Sequence, residues 1–170
     1  VNGTTTTGTT SATAIPFGTL TANNATTSAQ DLTVTTNATQ GFTVTVEANS
    51  QLLSSTGADI DGFSNGSYVT NPSTWSAPLG TIGTESTYGH WGITSDDTDT
   101  TARGAEEFSS DEWVSASTTP IVVMGNDGPS NGQTTGVGTT RIGYKVEITS
   151  LQEAGDDYQA TLTYVATPVF

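Results

Sequence analysis

The sequence predicts an all-β fold, a single antiparallel β-sandwich of the Ig-like or jelly-roll-like kind. Three observations predict it. Apolar and polar residues alternate strictly in segments near both ends of the chain, turn-forming Gly, Asn and Asp separate these segments, and no stretch repeats with the helical period of 3.6. The periodicity weakens over residues 51–119, so we expect a long excursion with a few short strands to decorate the middle of the sandwich.

The first residues, VNGTTTTGTTSA, form a low-complexity tail, which sets residues 1–12 apart from a sandwich domain over residues 13–170. Such a tail has almost no apolar area to offset the entropy lost on ordering. Thr favours an extended chain and Gly permits close backbone approach, so we expect an extended strand that adds to a neighbouring copy of the protein. The side chains expected to face that neighbour are Val1, Gly3, Thr5, Thr7 and Thr9.

The N-terminal part of the predicted sandwich begins with a short strand over Ala14–Leu20, where Pro16 removes one main-chain donor and favours an edge position. Two further alternating strands follow, and the turn residues NATQG between them predict a hairpin. The side chains expected inside are Leu32 and Val34 in the first strand and Phe42, Val44 and Val46 in the second.

The most regular alternation lies in Arg141–Pro168 and predicts a long C-terminal hairpin closed by the polar turn QEAGDD. The opposite face of its first strand carries Gly143, Lys145 and Glu147. The predicted inner faces hold Ile142, Tyr144, Val146 and Ile148 in one strand and Tyr158, Ala160, Leu162, Tyr164 and Ala166 in the other. A buried strand is also expected in PIVVMG.

The charge balance restricts the partners of this protein. Seventeen acidic residues against three basic ones give a net charge of -14, which excludes a groove that tracks phosphates, so no nucleic-acid partner is expected. A surface rich in Thr, Ser, Asn and acids but poor in Lys favours an extracellular or cell-surface location, and the initial Val favours prior cleavage of a signal segment. No apolar run reaches membrane-spanning length.

No residue pattern in the chain predicts catalysis, so we do not expect an enzyme. His90 is the only histidine and there is no Cys, so neither a His-based metal cluster nor a thiol nucleophile is available. A nucleophile elbow of the GxSxG type is also missing from the sequence. Paired carboxylates of a glycosidase remain a distant third interpretation.

An acidic segment, DDTDTTARGAEEFSSDE, brings seven carboxylates close together in sequence. The spacing of Asp96, Asp97 and Asp99 suits the hard oxygen ligands of a Ca²⁺ site, although the EF-hand pattern is missing. A solvated acidic loop is the alternative interpretation, and it is the more common outcome for such clusters.

Two further sets of residues have candidate binding or modification roles. Aromatic side chains on sandwich loops form platforms for sugar rings or else cover the core, and burial is the favoured alternative. The aromatics in question are Trp75, Tyr88, Trp91 and Trp113. Four intact sequons make the chain a candidate glycoprotein if the host glycosylates, at Asn2, Asn24, Asn37 and Asn65.

The block IPFGTLTANNATTSAQDLTVTTNATQGFTVTV and the ending LQEAGDDYQATLTYVATPVF, together under half of the chain, resemble secreted surface β-sandwiches of the WxL-like and spore-coat-U-like kind. The resemblance implies an exported, non-catalytic module that binds a surface or polymerises into fibres. This chain has neither a Trp-x-Leu tripeptide nor a Cys pair, so peptidoglycan binding and chaperone-usher assembly are not part of the prediction.

These observations lead to two predictions of function. The first is a structural subunit of an extracellular, pilus-like filament or surface layer, a homopolymer that forms by donor-strand exchange of the N-terminal strand with a neighbouring copy. The alternative is a carbohydrate-binding or adhesive surface module, with surface glycans as partners and without self-assembly.

Overall fold

The computed structural model describes residues 1–97 and 108–170. Over these residues the chain forms β-strands and one turn of 3₁₀-helix, η1 (Glu85–Thr87), without an α-helix. The strands are β1 (Thr26–Thr33), β2 (Thr35–Thr36), β3 (Phe42–Ala48), β4 (Leu52–Leu53), β5 (Asp59–Gly62), β6 (Ser73–Thr74), β7 (Gly89–Ser95), β8 (Glu112–Ser115), β9 (Ile121–Asn126), β10 (Ser130–Asn131), β11 (Thr139–Ile148) and β12 (Leu162–Pro168).

Two main sheets form the sandwich, which confirms the predicted all-β class. The larger sheet has the order β1-β11-β7-β5-β4, with β8 paired to β7 and β6 paired to β8. The smaller sheet has the order β12-β3-β9, and β10 with β2 makes a short separate ribbon. Neighbouring strands run antiparallel except β5 and β7, which run parallel.

The core between the two sheets is built from the alternating faces that the sequence indicated in β3 and β11, whereas the predicted inner side chains of β12 are at most half-buried and Ala166 is exposed. In β3, Phe42, Val44 and Val46 are at most 1% exposed, since every second side chain of a strand points to the same face. Ile142, Tyr144 and Val146 of β11 meet them in the same apolar cluster. Full burial of each such side chain contributes about 1.5 to 3 kcal/mol to the stability of the sandwich.

The predicted pairing of strands was wrong in both hairpins. β11 pairs with β1 and β7, whereas β12 pairs with β3, so the two regular C-terminal segments lie in different sheets. β1 and β3 are separated between the sheets in the same way. The physical reason is that each strand has one apolar face, and a connection that crosses between the sheets lets two such faces pack against each other.

The strand predicted at Ala14–Leu20 was also wrong. The segment has no strand conformation, and its side chains Ile15, Phe17 and Leu20 pack half-buried against the core cluster. Pro16 lacks the main-chain donor that a strand would use. The segment therefore covers part of the opening between the sheets without joining either sheet.

The irregular middle of the sequence provides a central strand of the larger sheet. β7 is buried along its whole length, with β11 paired along it and β5 and β8 paired to parts of it. A Cβ atom on Gly92 would lie 2.7 Å from the main-chain oxygen of Val114, so only a glycine fits where β8 crosses close by. In the larger sheet, β7 is thus covered on its outer face as well as on its inner face.

Candidate assembly site

The N-terminal tail lies on its own domain in the single chain. Val1 rests on β11, where a Cβ atom added to Gly143 would be 2.6 Å from Cγ1 of Val1. Gly143 therefore leaves the space that Val1 occupies on the outer face of the larger sheet. Val1 and Asn2 are both half-buried there.

Asn2 anchors the tail through four hydrogen bonds. Its Nδ2 donates to Oγ1 of Thr94 at 2.7 Å and to the main-chain oxygen of Glu112 at 3.0 Å. Its main-chain N–H donates to Oδ1 of Asp96, and its carbonyl accepts from the N–H of Asp111 at 2.9 Å. Asn adopts the left-handed region here, with φ of 46°, which Asn tolerates better than most residues.

A charged pair lies directly beside this anchor. Oγ1 of Thr4 donates to Oδ1 of Asp111 at 3.1 Å, and Nζ of Lys145 lies 3.2 Å from the same oxygen. Burial raises the pKa of the Asp111 carboxyl, but the hydrogen bond from Trp113 and the charge of Lys145 outweigh it and lower the pKa. Asp111 is thus ionised at neutral pH, where it accepts from Thr4 of the tail.

The next part of the tail runs beside the free edge of β1. The N–H groups of Thr7 and Gly8 donate to the carbonyl of Thr27 at 2.8 and 3.2 Å, and Oγ1 of Thr10 donates to the carbonyl of Ala29 at 2.6 Å. A Cβ atom on Gly8 would lie 3.4 Å from Cβ of Ser28, so the two backbones are in close contact. These few bonds place the tail along the edge without making a strand of it.

The five side chains predicted to face a neighbour have different environments in the single chain. Val1 and Thr7 contact β11 and β1, and Gly3 lies against Ser110. Thr5 and Thr9 are exposed. The tail therefore does not direct every second side chain toward its own domain.

A groove of about 1400 Å³ opens between β1, at the end of the larger sheet, and β12, at the end of the smaller sheet. Residues 10–20 form one wall. Leu162 and Tyr164 of β12 pair with Ala48 and Val46 of β3, which are fully buried, yet both remain only half-buried themselves. The apolar lining includes Leu32, Ile142, Tyr144, Tyr158, Leu162 and Tyr164.

Two tyrosine hydroxyls meet inside this groove. The hydroxyls of Tyr144 and Tyr164 are hydrogen-bonded to each other, and that of Tyr144 donates to Oε1 of Gln30 at 3.2 Å. Burial raises the pKa of Tyr164 to about 12 and, together with the neighbouring tyrosine, raises the pKa of Tyr144 further. Both phenols are neutral at physiological pH and act as hydrogen-bonding groups in an otherwise apolar surface.

The predicted calcium ligands have separate partners in the structure. Asp96 accepts from Asn2 of the tail, whereas Oδ2 of Asp97 accepts from the N–H of Gly125 in β9 at 2.7 Å. Asp99 lies outside the described residues. Across residues 1–97 and 108–170, no group of three or more His, Asp or Glu side chains is arranged to hold a metal ion.

The four aromatic residues considered for sugar binding do not share one surface. Trp91 belongs to the core between the sheets at 2% exposed, and Trp113 on the opposite side of the larger sheet is fully buried. Trp75 is half-buried against Trp113, with ring centroids 5.7 Å apart. Tyr88 is half-buried, and its hydroxyl accepts from the N–H of Gly83 at 2.9 Å.

The four sequons also differ in exposure. Asn24, Asn37 and Asn65 are exposed, whereas Asn2 is half-buried and uses its side-chain nitrogen for the two hydrogen bonds described above. A glycan attached to Nδ2 of Asn2 would therefore disrupt the hydrogen bonds that hold the tail on the larger sheet.

The chain matches no protein-family model, no curated protein and no solved structure. The likeness to WxL-like and spore-coat-U-like sandwiches therefore stays a prediction from the sequence. In the part of the chain that the structure describes, no helix has the length and apolar character needed to cross a membrane.

Sequence reasoning missed the groove and the anchoring role of Asn2. The groove depends on which strands end the two sheets, and the sequence holds no local signal for that. A weak signal for the anchor was present, because Asn followed by Gly is typical of a tight turn and Asn2 with Gly3 forms one.

Proposed function

We propose that the protein is a structural subunit of an extracellular filament or surface layer, in which the N-terminal segment of one copy lies on a neighbouring copy. One observation carries this proposal. The smaller sheet stops at β12, whose inward side chains Leu162 and Tyr164 stay half exposed while the paired positions of β3 are fully buried. A sandwich with such an open side gains apolar burial when another copy supplies the missing cover.

The contacts that hold the tail on its own domain support exchange between copies. Thr7, Gly8 and Thr10 bind β1 through a few hydrogen bonds, three of which join Thr7 to Thr27. Asn2 binds groups that every copy presents. Exchange of an identical element between protomers retains the native contacts and is a low-cost route to assembly. If the rotation that relates successive copies does not lead back to the first copy, the chains form an open filament rather than a ring.

The remaining parts of the proposal rest on composition and on the one histidine. A net charge of -14 with 37 Thr residues suits an extracellular surface protein. His90 is 2% exposed and packs edge-on against Phe63 and Trp75, which supports a structural role for this side chain.

Inward-packing aromatic residues count against the alternative of a sugar-binding module, and Trp91 and Trp113 are buried. A tail that lies on its own domain counts in the same way against strand donation, so exchange between copies requires the tail to leave the contacts that it makes with Thr27 and Thr94.

Deletion of Val1–Thr10 tests the proposal directly. Wild-type protein is expected to form filaments or sheets in electron micrographs, and the truncated chain is expected to remain a soluble monomer of lower stability. Assembly of the truncated chain would overturn strand donation. Glycan-array binding by a wild-type protein that stays monomeric would favour the adhesive module.

Cysteine cross-linking distinguishes a tail on its own domain from a tail on a neighbour, since the chain has no natural Cys. Gly8→Cys and Ser28→Cys place Cβ atoms about 3.4 Å apart, near the usual disulfide separation. An oxidised mixture of the two single variants is expected to give a covalent dimer, because only a tail on another copy brings the two cysteines together.

The control for that mixture pairs Ser28→Cys with Thr6→Cys, whose side chain is exposed. No dimer is expected from the control. The double variant Gly8→Cys/Ser28→Cys, oxidised as a monomer, holds the tail on its own domain and should assemble only after reduction. Assembly of the oxidised double variant would contradict the proposal.

A further inference from the structure

We infer that the groove between β1 and β12 receives the segment Ala14–Leu20 of the next copy, which pairs with the free edge of β12. This inference rests on the proposed assembly and names the acceptor surface and the segment that fills it. Residues 1–20 then form one arm that leaves its own domain, with Thr21–Asn24 as the hinge.

The groove has room for this segment. Strands lie about 4.8 Å apart within a sheet, sheets pack about 10 Å apart and each residue advances about 3.3 Å, so seven strand residues occupy roughly 1100 Å³. The groove offers about 1400 Å³ while the chain's own residues 10–20 still form one wall, and departure of the arm would enlarge it. A seven-residue strand with its side chains therefore fits between the two sheets.

The chemistry of the segment matches the lining. Ile15, Phe17 and Leu20 already pack against the core cluster within their own chain, so these side chains suit the surface that lines the groove. They remain only half-buried there, and within the described chain no hydrogen bond between two main-chain groups joins Ile15–Leu20 to either sheet. A side-chain hydrogen bond of 3.5 Å does run from Oγ of Ser28 in β1 to the carbonyl of Pro16. Insertion as a strand would add hydrogen bonds along β12 to the apolar contacts.

Two polar groups of the lining also suit a peptide strand. Nε1 of Trp91 and Oε1 of Gln152 are buried and have no hydrogen-bond partner among the described residues, and both side chains line the groove. One is a donor and the other an acceptor. A peptide backbone carries both complementary groups, whereas an apolar small molecule carries neither.

The hinge has the features of a short exchangeable turn. Thr21 and Asn24 form an isolated bridge, and Asn23 between them has φ of 60°. The N–H of Asn23 donates to the carbonyl of Ile148 at the end of β11 at 2.7 Å, which fixes the point from which the arm leaves. Extension of this turn would carry the arm away from its own groove and toward another copy.

Single-cysteine chains test the inference. Ile15→Cys in one chain and Leu162→Cys in another are mixed, assembled and oxidised, and a covalent dimer is expected. Thr163→Cys is the matched control, because it is the next residue of β12, is exposed and lies on the opposite face of the strand. A dimer with Thr163→Cys but none with Leu162→Cys would overturn the inference.

Combination with the Gly8 and Ser28 variants separates the two proposals. One outcome is a dimer from Gly8→Cys mixed with Ser28→Cys but none from Ile15→Cys mixed with Leu162→Cys. In that case copies exchange their tails but the groove is not the acceptor, and only the inference fails. If neither mixture gives a dimer and micrographs show no assembly, both fail.

Phe17→Asp should abolish assembly and leave a folded monomer, while assembly equal to wild type would overturn the inference.

Discussion

The two faces of the larger sheet are covered in opposite ways. On the outer face, polar side chains are buried: Thr94 is 0%, Lys145 7% and Glu147 8% exposed. On the inner face near the groove, apolar side chains such as Leu32 are only half-buried. An antiparallel sheet commonly has the reverse, with polar residues facing water and apolar ones in the core. The difference indicates that the outer face is closed within one chain and that the inner face is left open at one end.

The outer face is closed by an aromatic cover that supplies a partner for each buried charge. Phe63 stacks on Trp75 with centroids 4.6 Å apart, and Nε1 of Trp75 donates to Oε2 of Glu147 at 2.8 Å. Lys145 pairs with Asp111 and lies 4.7 Å from the ring centroid of Trp113. Buried charges are tolerated when they are paired and hydrogen-bonded in this way.

The largest expected effect comes from a charge in the closed part of the inner core. Val46→Asp should prevent folding, because an unpaired buried carboxylate costs several kcal/mol against a total stability of about 5 to 15 kcal/mol. Leu162→Asp, on the half-buried side of the groove, should leave a folded monomer of reduced stability. Circular dichroism melting of both variants measures this, and equal damage from the two changes would show that the groove is as closed as the core.

Removal of the aromatic cover should have the next largest effect. Trp113→Ala is expected to lower the free energy of unfolding by about 3 to 5 kcal/mol, since it leaves a cavity above β7 and removes a ring beside Lys145. Phe170→Ala is the control, because the side chain of Phe170 is aromatic and 73% exposed. Denaturant titration gives both values, and a small loss for Trp113→Ala would mean that the cover contributes little.

Titration of His90, which packs against Phe63 and Trp75 of the aromatic cover, should make the stability of the protein depend on pH. Burial lowers the pKa of His90 to about 4, only partly offset by its hydrogen bond with the main chain of Ser76. The unfolded chain binds a proton near pH 6.5. Between these values the unfolded state holds more protons, so stability falls as pH drops, by about 3 kcal/mol in total.

His90→Gln removes this titration, so its stability should vary less than that of the wild type between pH 6.5 and 4. Melting temperatures measured across that window compare the two proteins. Parallel curves would indicate that acidic residues, rather than His90, cause the acid sensitivity.

The smallest effect is expected at the start of η1, outside both faces. A hydrogen bond with Asp59, with burial and nearby carboxylates adding to it, raises the pKa of Glu85 to about 7. A raised carboxyl pKa means that the contribution is present at acidic pH and is lost as pH rises through 7. The decline falls between the unfolded and folded pKa values, so Glu85→Gln should flatten a small decrease in melting temperature between about pH 4.5 and 7. An unchanged decline would show that Glu85 does not cause it.

Alternation in the sequence determined which residues of β3 and β11 point into the core, because a strand places every second side chain on one face whatever its partner. The strand expected in the tail is not formed on the chain's own domain, where Asn2 and Gly3 make a turn and the following residues run beside β1 without joining its sheet. Composition determined the surface charge, which depends on no particular fold.

Only the tertiary structure decided which strands pair, because the faces of β11 and β12 suit a hairpin and opposite sheets equally well. The central place of β7 followed from the small size of Gly89 and Gly92 within crowded surroundings, which no periodicity indicates. The burial of Lys145 depended on Trp75 and Trp113, far away in sequence, coming to lie over the outer face. The open groove at β12 likewise arises from the end of a sheet, and a sheet's end is a property of the whole fold rather than of any one segment.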